Sequence, residues 1–228
     1  MERFIFPAWT NVVRPLLGVG IVGGLLYTVT MVNFGFSPQA TDVGYEPKQP
    51  VPYSHALHVG QLGLDCRYCH TTVEKSGFAA VPATSTCMNC HSKIRTTSEA
   101  LKPLRESWKK QEPLQWTKVH RLPDYVYFNH SAHVTRGVSC VSCHGRVDKM
   151  EVVYQQETLS MGWCLDCHRN PDQHIRPIDK VTDLAWLPDG VNQADDPEKI
   201  LEAKKKVGAE ERAKRHLNPS QDCTTCHR

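Results

Sequence analysis

The sequence predicts a loop-rich fold of short helices built around packed prosthetic groups, with one N-terminal transmembrane helix. Three observations predict it. All ten cysteines fall in five Cys-x-x-Cys-His segments, at Cys66–His70, Cys87–His91, Cys140–His144, Cys164–His168 and Cys223–His227. Leu16 to Phe36 is a run of 21 residues without a charge. Between the motifs Pro, Gly, Thr and Ser recur, and few apolar runs exceed a short helix.

The five segments carry the c-type haem attachment pattern. Two thiols one short turn apart can add to the two vinyl groups of one haem, while the following imidazole meets the iron from one side. Cys66, Cys69, Cys87, Cys90, Cys140, Cys143, Cys164, Cys167, Cys223 and Cys226 are therefore expected to bind five c-type haems (haem c), with His70, His91, His144, His168 and His227 as proximal ligands. The fold class is a multihaem cytochrome c. Zinc ribbons compete, because 17 residues separate Cys69 from Cys87. A disulfide framework or a Cys-x-x-Cys redox pair also fits an even cysteine count. The adjacent histidine decides: with 12 His in 228 residues, five matches by chance come to roughly four in ten million.

Composition agrees. At 40% hydrophobic, 8% aromatic and mean hydropathy −0.44, the chain is lean for one packed core, and five porphyrins would supply apolar bulk. The formal charge of +3 would be outweighed by about −10 from the propionates, offset by up to about +5 from ferric irons. The basic sequence pI is thus no argument for nucleic acid, and no nucleic-acid partner is expected.

Residues 1–15 carry Arg3 and Arg14, residues 16–36 can span the hydrocarbon core as one helix, and Asp42 is the first charge beyond it. The positive-inside rule puts residues 1–15 in the cytoplasm and the haem region outside, a single-pass plasma-membrane protein with its haem domain on the periplasmic face. A cleaved signal peptide is the alternative, since Pro38-Gln39-Ala40 has small-residue character, but 21 apolar residues exceed a signal core. Gly20 and Gly24 form a small-xxx-small pair suited to helix packing.

Residues 37–52 are proline-rich and without apolar period, an extended tether. Beyond them the chain repeats. Tyr53-Ser-His55-Ala-Leu-His58 precedes Cys66 and Cys87, as Phe128-Asn-His130-Ser-Ala-His133 precedes Cys140 and Cys164. The first histidine precedes the first cysteine by 11 and 10 residues, and the pairs are spaced by 21 and 24. This predicts two diheme modules, 53–115 and 116–178, followed by a C-terminal segment, 179–228, with a helix and the fifth haem. Residues 96–118 should be partly helical around Leu101–Trp108. A helix should start at Asp196 as cap and Pro197, and its many charges suggest a solvated face or a partner contact.

Seven further histidines can supply sixth ligands. Histidines three apart share one side of a helical turn and can reach neighbouring irons. His55 is assigned to the haem of His70, His58 to that of His91, His130 to that of His144 and His133 to that of His168. For the haem of His227 the candidates are His120, ranked first, His216 and a methionine. Met161 could cap an iron and raise its potential, or simply pack on a porphyrin. His174 and His216 read as surface or dipole-satisfying residues.

The run QPVPYSHALHVGQLGLDCRYCH, the block VHRLPDYVYFNHSAHVTRGVSCVSCHGRV and the segment MGWCLDCHRNP resemble the membrane-anchored pentahaem cytochrome c subunit of alternative complex III, a bacterial quinol:acceptor oxidoreductase, over nearly the whole chain. The resemblance implies a non-catalytic electron-transfer subunit of the respiratory chain. It would take electrons from quinol oxidised elsewhere in the complex and pass them to a monohaem cytochrome c subunit, a soluble carrier or a terminal oxidase. The implied partners are an iron–sulfur subunit and polytopic quinol-site subunits. The His-x-x-His pairs also resemble those of trihaem and tetrahaem cytochromes.

Two other classes are weighed. An anchored quinol dehydrogenase feeding a periplasmic reductase shares the single span, but this chain has five motifs, and His70 and His91 lead to Thr71-Thr72 and Ser92-Lys93 without a methionine two residues on. A multihaem reductase needs an open iron, whereas spare histidines here can cap every one.

Overall fold

The computed structural model describes residues 6–35 and 41–227. Arg3, Phe36, Pro38-Gln39-Ala40 and the first part of the expected tether lie outside the described residues. The chain divides into two compact units, Met1–Val43 and Gly44–Arg228.

The first unit is the helix α1, Thr10–Gly35. Its 26 residues extend about 39 Å at about 1.5 Å each, more than the ~30 Å hydrocarbon core. None of them is buried, and Leu16, Leu17, Ile21, Val22, Leu25 and Leu26 are all exposed. A helix apolar on all sides and buried on none is long and apolar enough to cross a membrane. Thr28, Thr30 and Asn33 return their side-chain donors to the carbonyls of Gly24, Leu26 and Val29, which satisfies those polar groups within the helix itself. The helix begins six residues before the uncharged run. Arg14 does not end it, because an arginine head on an aliphatic stem can reach the polar boundary while its backbone stays helical.

In the second unit no strand occurs among the described residues; extended pairing is limited to the isolated bridges Val126↔His227 and Val138↔Ile175. Short helices carry the structure: α2 Cys66–Cys69, α3 Thr84–His91, α4 Lys102–Lys110, α5 His130–Val134, α6 Val141–His144, α7 Met161–Arg169, α8 Pro197–Lys214 and α9 Cys223–Cys226. A π-helical turn spans Ala56–Gln61. Among the described residues the buried apolar side chains are few, Val51, Val73, Leu104, Val134, Met150, Ile175, Val181 and Leu184, and of these Val73, Val134 and Val181 pack together with Ala79 and Cys140. At about 1.5–3 kcal/mol for each large apolar side chain, such clusters are thin support for 185 residues without a further apolar component.

The two expected modules interlock. Ser131 N–H reaches Ser76 O and His130 N–H reaches Gly77 O, both at 3.1 Å; the tether joins the second module where Gln49 donates to the Thr117 carbonyl at 2.8 Å and accepts from its N–H at 2.9 Å, and the C-terminal segment joins the first where Thr182 donates to Asp65 at 2.9 Å. The charged helix α8 starts as its sequence requires, with Asp196 accepting from Glu198 N–H at 2.8 Å and Pro197 in the first turn. It is not simply a solvated face. Gly208 is its buried residue, and it lies so close to the Asp172 carbonyl that any Cβ would collide. Arg212 adds an ion pair to Asp172 at 3.3 Å.

Candidate haem sites

Each Cys-x-x-Cys-His segment closes one helical turn. His70, His144 and His227 donate their N–H to the carbonyls of Cys66, Cys140 and Cys223 at 2.8, 2.9 and 2.8 Å. His91 ends the longer helix α3, and His168 is the last residue but one of α7. Asp65 caps the first turn by accepting from Arg67 N–H at 2.8 Å. All ten cysteines are free thiols. Among the described residues no group of three or more His, Cys, Asp or Glu is arranged to hold a metal ion.

The two histidine pairs have the same local geometry. His55 and His58 stand against Tyr53 with ring centroids at 4.8 and 4.4 Å, the first edge-on at 86° and the second stacked at 23°. His130 and His133 stand against Phe128 at 4.7 and 4.7 Å, at 86° and 28°. His58 Nδ1 donates to Ser54 O and His133 Nδ1 to Asn129 O, both at 2.8 Å. The aromatic ring fixes the ring planes and the carbonyl fixes the tautomer. The helical types differ, because His55–His58 enters a π turn whereas Asn129 caps α5 through Ala132 N–H.

Three assigned pairs face one another at related spacings. His58 and His91 have centroids 6.3 Å apart, His130 and His144 6.3 Å, and His133 and His168 6.2 Å. Metal–imidazole bonds of about 2 Å on both sides of one metal put ring centres about 6 Å apart. His55 is pushed down to about 4 by burial and next by His70, its assigned partner, and His58; its Nδ1 is buried without a hydrogen-bond partner.

Backbone carbonyls orient most of these rings. His70 Nδ1 donates to Ala80 O at 2.8 Å, His91 to Ile94 O at 3.2 Å, His130 to Gly77 O at 2.9 Å, His168 to Ser220 O at 2.5 Å and His227 to Tyr125 O at 3.3 Å. A carbonyl can only accept, so each ring carries its proton on Nδ1 and leaves Nε2 bare for a metal. The donor set, the ring spacings and the sparse core all fit c-type haems.

His120 lies against His144. Its ranking for the iron of His227 rested on proximity to an apolar stretch; here its Nε2 lies 3.3 Å from His144 Nδ1, while His227 stacks obliquely on Tyr125 at 5.8 Å. Burial lowers His120, and it pushes His144 down to about 3, with His120 the next cause. Met161 is 66% exposed at the start of α7. His174 is half-buried beside Gln173 at 3.0 Å, so it is less of a surface residue than its sequence suggests. His216 is exposed and takes φ +53° just past α8.

The motifs also contact one another. Asn89, inside the second, donates to the Tyr68 hydroxyl, inside the first, at 3.0 Å. Burial and then Cys69 raise the Cys87 thiol. A hydrogen bond between Cys66 and Cys140 raises the former and lowers the latter. Burial, then Cys167 and Cys164, push Cys143 up to about 12. Burial and then Cys226 raise Cys164.

No family model matches the chain. A curated protein of Nitratidesulfovibrio vulgaris (strain Hildenborough), the menaquinone reductase multihaem cytochrome c subunit, is 30% identical over 151 residues, covering 57% of this chain and 71% of that relative.

Proposed function

The chain belongs to the family of multihaem cytochrome c subunits represented by that relative, and from this premise we propose that it binds five covalent c-type haems and relays electrons within a membrane quinone oxidoreductase complex. One observation carries the reading: five attachment turns, each with an imidazole beside it, and imidazole pairs facing each other at 6.2–6.3 Å. When bound, haem supplies a one-electron couple at its iron. The chain's own residues do the rest. Ten thiols would fix the position of the groups, His70, His91, His144, His168 and His227 would each hold an iron from one side, His55, His58, His130 and His133 would supply distal imidazoles to four of them, and the carbonyls of Ser54, Ala80, Ile94, Gly77, Asn129, Ser220 and Tyr125 orient the rings. No side chain serves as acid, base or nucleophile.

The finer reading is the pentahaem subunit of alternative complex III, anchored by α1 with its haems on the periplasmic side. Electrons then run from quinol towards a monohaem cytochrome c, soluble carrier or terminal oxidase, and the partners include an iron–sulfur subunit and polytopic quinol-site subunits. A second reading reverses the flow, because the relative is named for menaquinone reduction. Purification of the native complex in mild detergent, with haem stoichiometry by pyridine haemochrome and intact mass, tests both composition and haem number. Five haems and a quinol-reducible spectrum are expected; fewer than five overturns the count. Haem reduction by a reduced soluble cytochrome but not by quinol overturns the forward direction.

A further inference from the structure

Contacts at four junctions join the attachment motifs in a row that is not their order in the chain. Between the second and first, Asn89 bonds Tyr68 at 3.0 Å, and the assigned distal ligands His55 and His58 sit on one turn against the same Tyr53 ring. Between the first and third, Val73 and Val134 share one apolar cluster with Cys140, and His130 is tied through both its backbone N–H and its Nδ1 to the Gly77 carbonyl, at 3.1 and 2.9 Å. Between the third and fourth, the single turn of α5 carries His130 towards His144 and His133 towards His168. Between the fourth and fifth, the Ser220 carbonyl that leads into Cys223 accepts from His168 Nδ1. The thiol–thiol neighbours described above run along the same row.

We propose that the chain holds its haems in the order second, first, third, fourth, fifth, so that the sites of His91 and His227 are the two ends at which electrons are exchanged with partners. The first motif is thus an interior position and the third its direct neighbour. Cysteine exposure follows the row: Cys90 and Cys223, one from each end motif, are exposed, whereas the other eight are half-buried. The row comes from the repeat. Each histidine pair bridges two sites within its module, and the modules are joined through their first sites rather than end to end, because His130 reaches back 53 residues to Gly77.

The proposal rests on the haem reading, and the test separates the two. Charges close together in a protein interior shift one another's potentials, and the effect falls with distance. A change at an interior haem should therefore be felt by two neighbours, and a change at an end haem by one. The full-length holoprotein in detergent is titrated potentiometrically and followed by electron paramagnetic resonance, for His55→Ala and His58→Ala. Each variant should give one new high-spin signal. His55→Ala should also shift the potentials of two other haems, and His58→Ala of one other. Reversed counts would indicate a row in chain order and, like equal counts, overturn the proposal. Absence of a high-spin signal in both variants overturns the ligand reading itself, and the order falls with it. Should either alanine variant not fold, His55→Met and His58→Met keep six ligands while raising the potential of one haem, and the same two-against-one count decides.

Discussion

The rings of His120 and His144 meet almost at right angles, 84° with centroids 4.4 Å apart, and Nε2 of the first lies 3.3 Å from Nδ1 of the second. Among the five proposed proximal ligands, His144 is the one whose orienting acceptor is a side chain. His120→Ala should remove that acceptor and make the His144 imidazole a poorer donor to its iron. The potential of one haem should rise by about 40 mV, the one-electron equivalent of about 1 kcal/mol for one hydrogen bond, and no high-spin signal should appear. His120→Gln, which retains an acceptor, should restore most of the shift. A high-spin signal in His120→Ala would instead make His120 an axial ligand, as its sequence context first suggested.

The equivalence of the histidine pairs predicts a contrast between His130 and His174. His130→Ala should turn one haem high-spin while its attachment through Cys140 and Cys143 persists. His174→Ala should leave the spectrum low-spin, since that ring contacts Gln173. Paramagnetic resonance of the two variants decides, and an unchanged low-spin His130→Ala contradicts the pairing.

Acid should weaken the first attachment turn. Asp65 is held down to about 2 chiefly by the Arg67 hydrogen bond, with Thr182 also contributing, whereas an unfolded aspartate titrates near ~3.9. A depressed folded value means stability that is present above about pH 4 and lost as pH falls towards 2. The group is largely solvated, so the contribution is about 1 kcal/mol after screening. Asp65→Asn should flatten the acid limb of the thermal melting curve between pH 4 and 2. An acid limb as steep as wild type would count against the Asp65–Arg67 pairing.

Two glycines in helices should respond oppositely to alanine. At Gly208 a Cβ would strike the Asp172 carbonyl, so Gly208→Ala should cost about 1–3 kcal/mol by forcing α8 off its turn. At Gly162 nothing lies within 4 Å, and alanine should be neutral or stabilising by up to about 1 kcal/mol. Thermal denaturation of the holoprotein measures both.

The anchor predicts an intact N-terminus. N-terminal sequencing of the mature membrane-bound protein should begin ahead of Thr10, and a start near residue 41 would mean that α1 is removed on export.

What was legible in the sequence was local. The cysteine turns, the duplicated histidine pairs, the helix around Leu101–Trp108 and the Asp196–Pro197 start each depend on residues within a few positions of one another, and pattern reads such spacing well. The contact of His120 with His144 was not legible, because the two are 24 residues apart and no single period runs across the loops and short helices between them. The burial of α8 on Asp172 hinges on one glycine inside a run of charges, a signal that composition hides. The row of motifs was illegible for the same reason: it depends on where loops return.

Seven of the nine assigned axial imidazoles take their orientation from main-chain carbonyls. Every amino acid supplies a carbonyl. Side chains at Ser54, Gly77, Ala80, Ile94, Asn129, Ser220 and Tyr125 can therefore drift without deleting the contact, provided the backbone path is kept. Sequence divergence then has little direct leverage on six-coordination at these sites. It gains leverage at His144, whose acceptor is encoded by a single codon, so evolution or an engineer can retune one haem there without rebuilding the others.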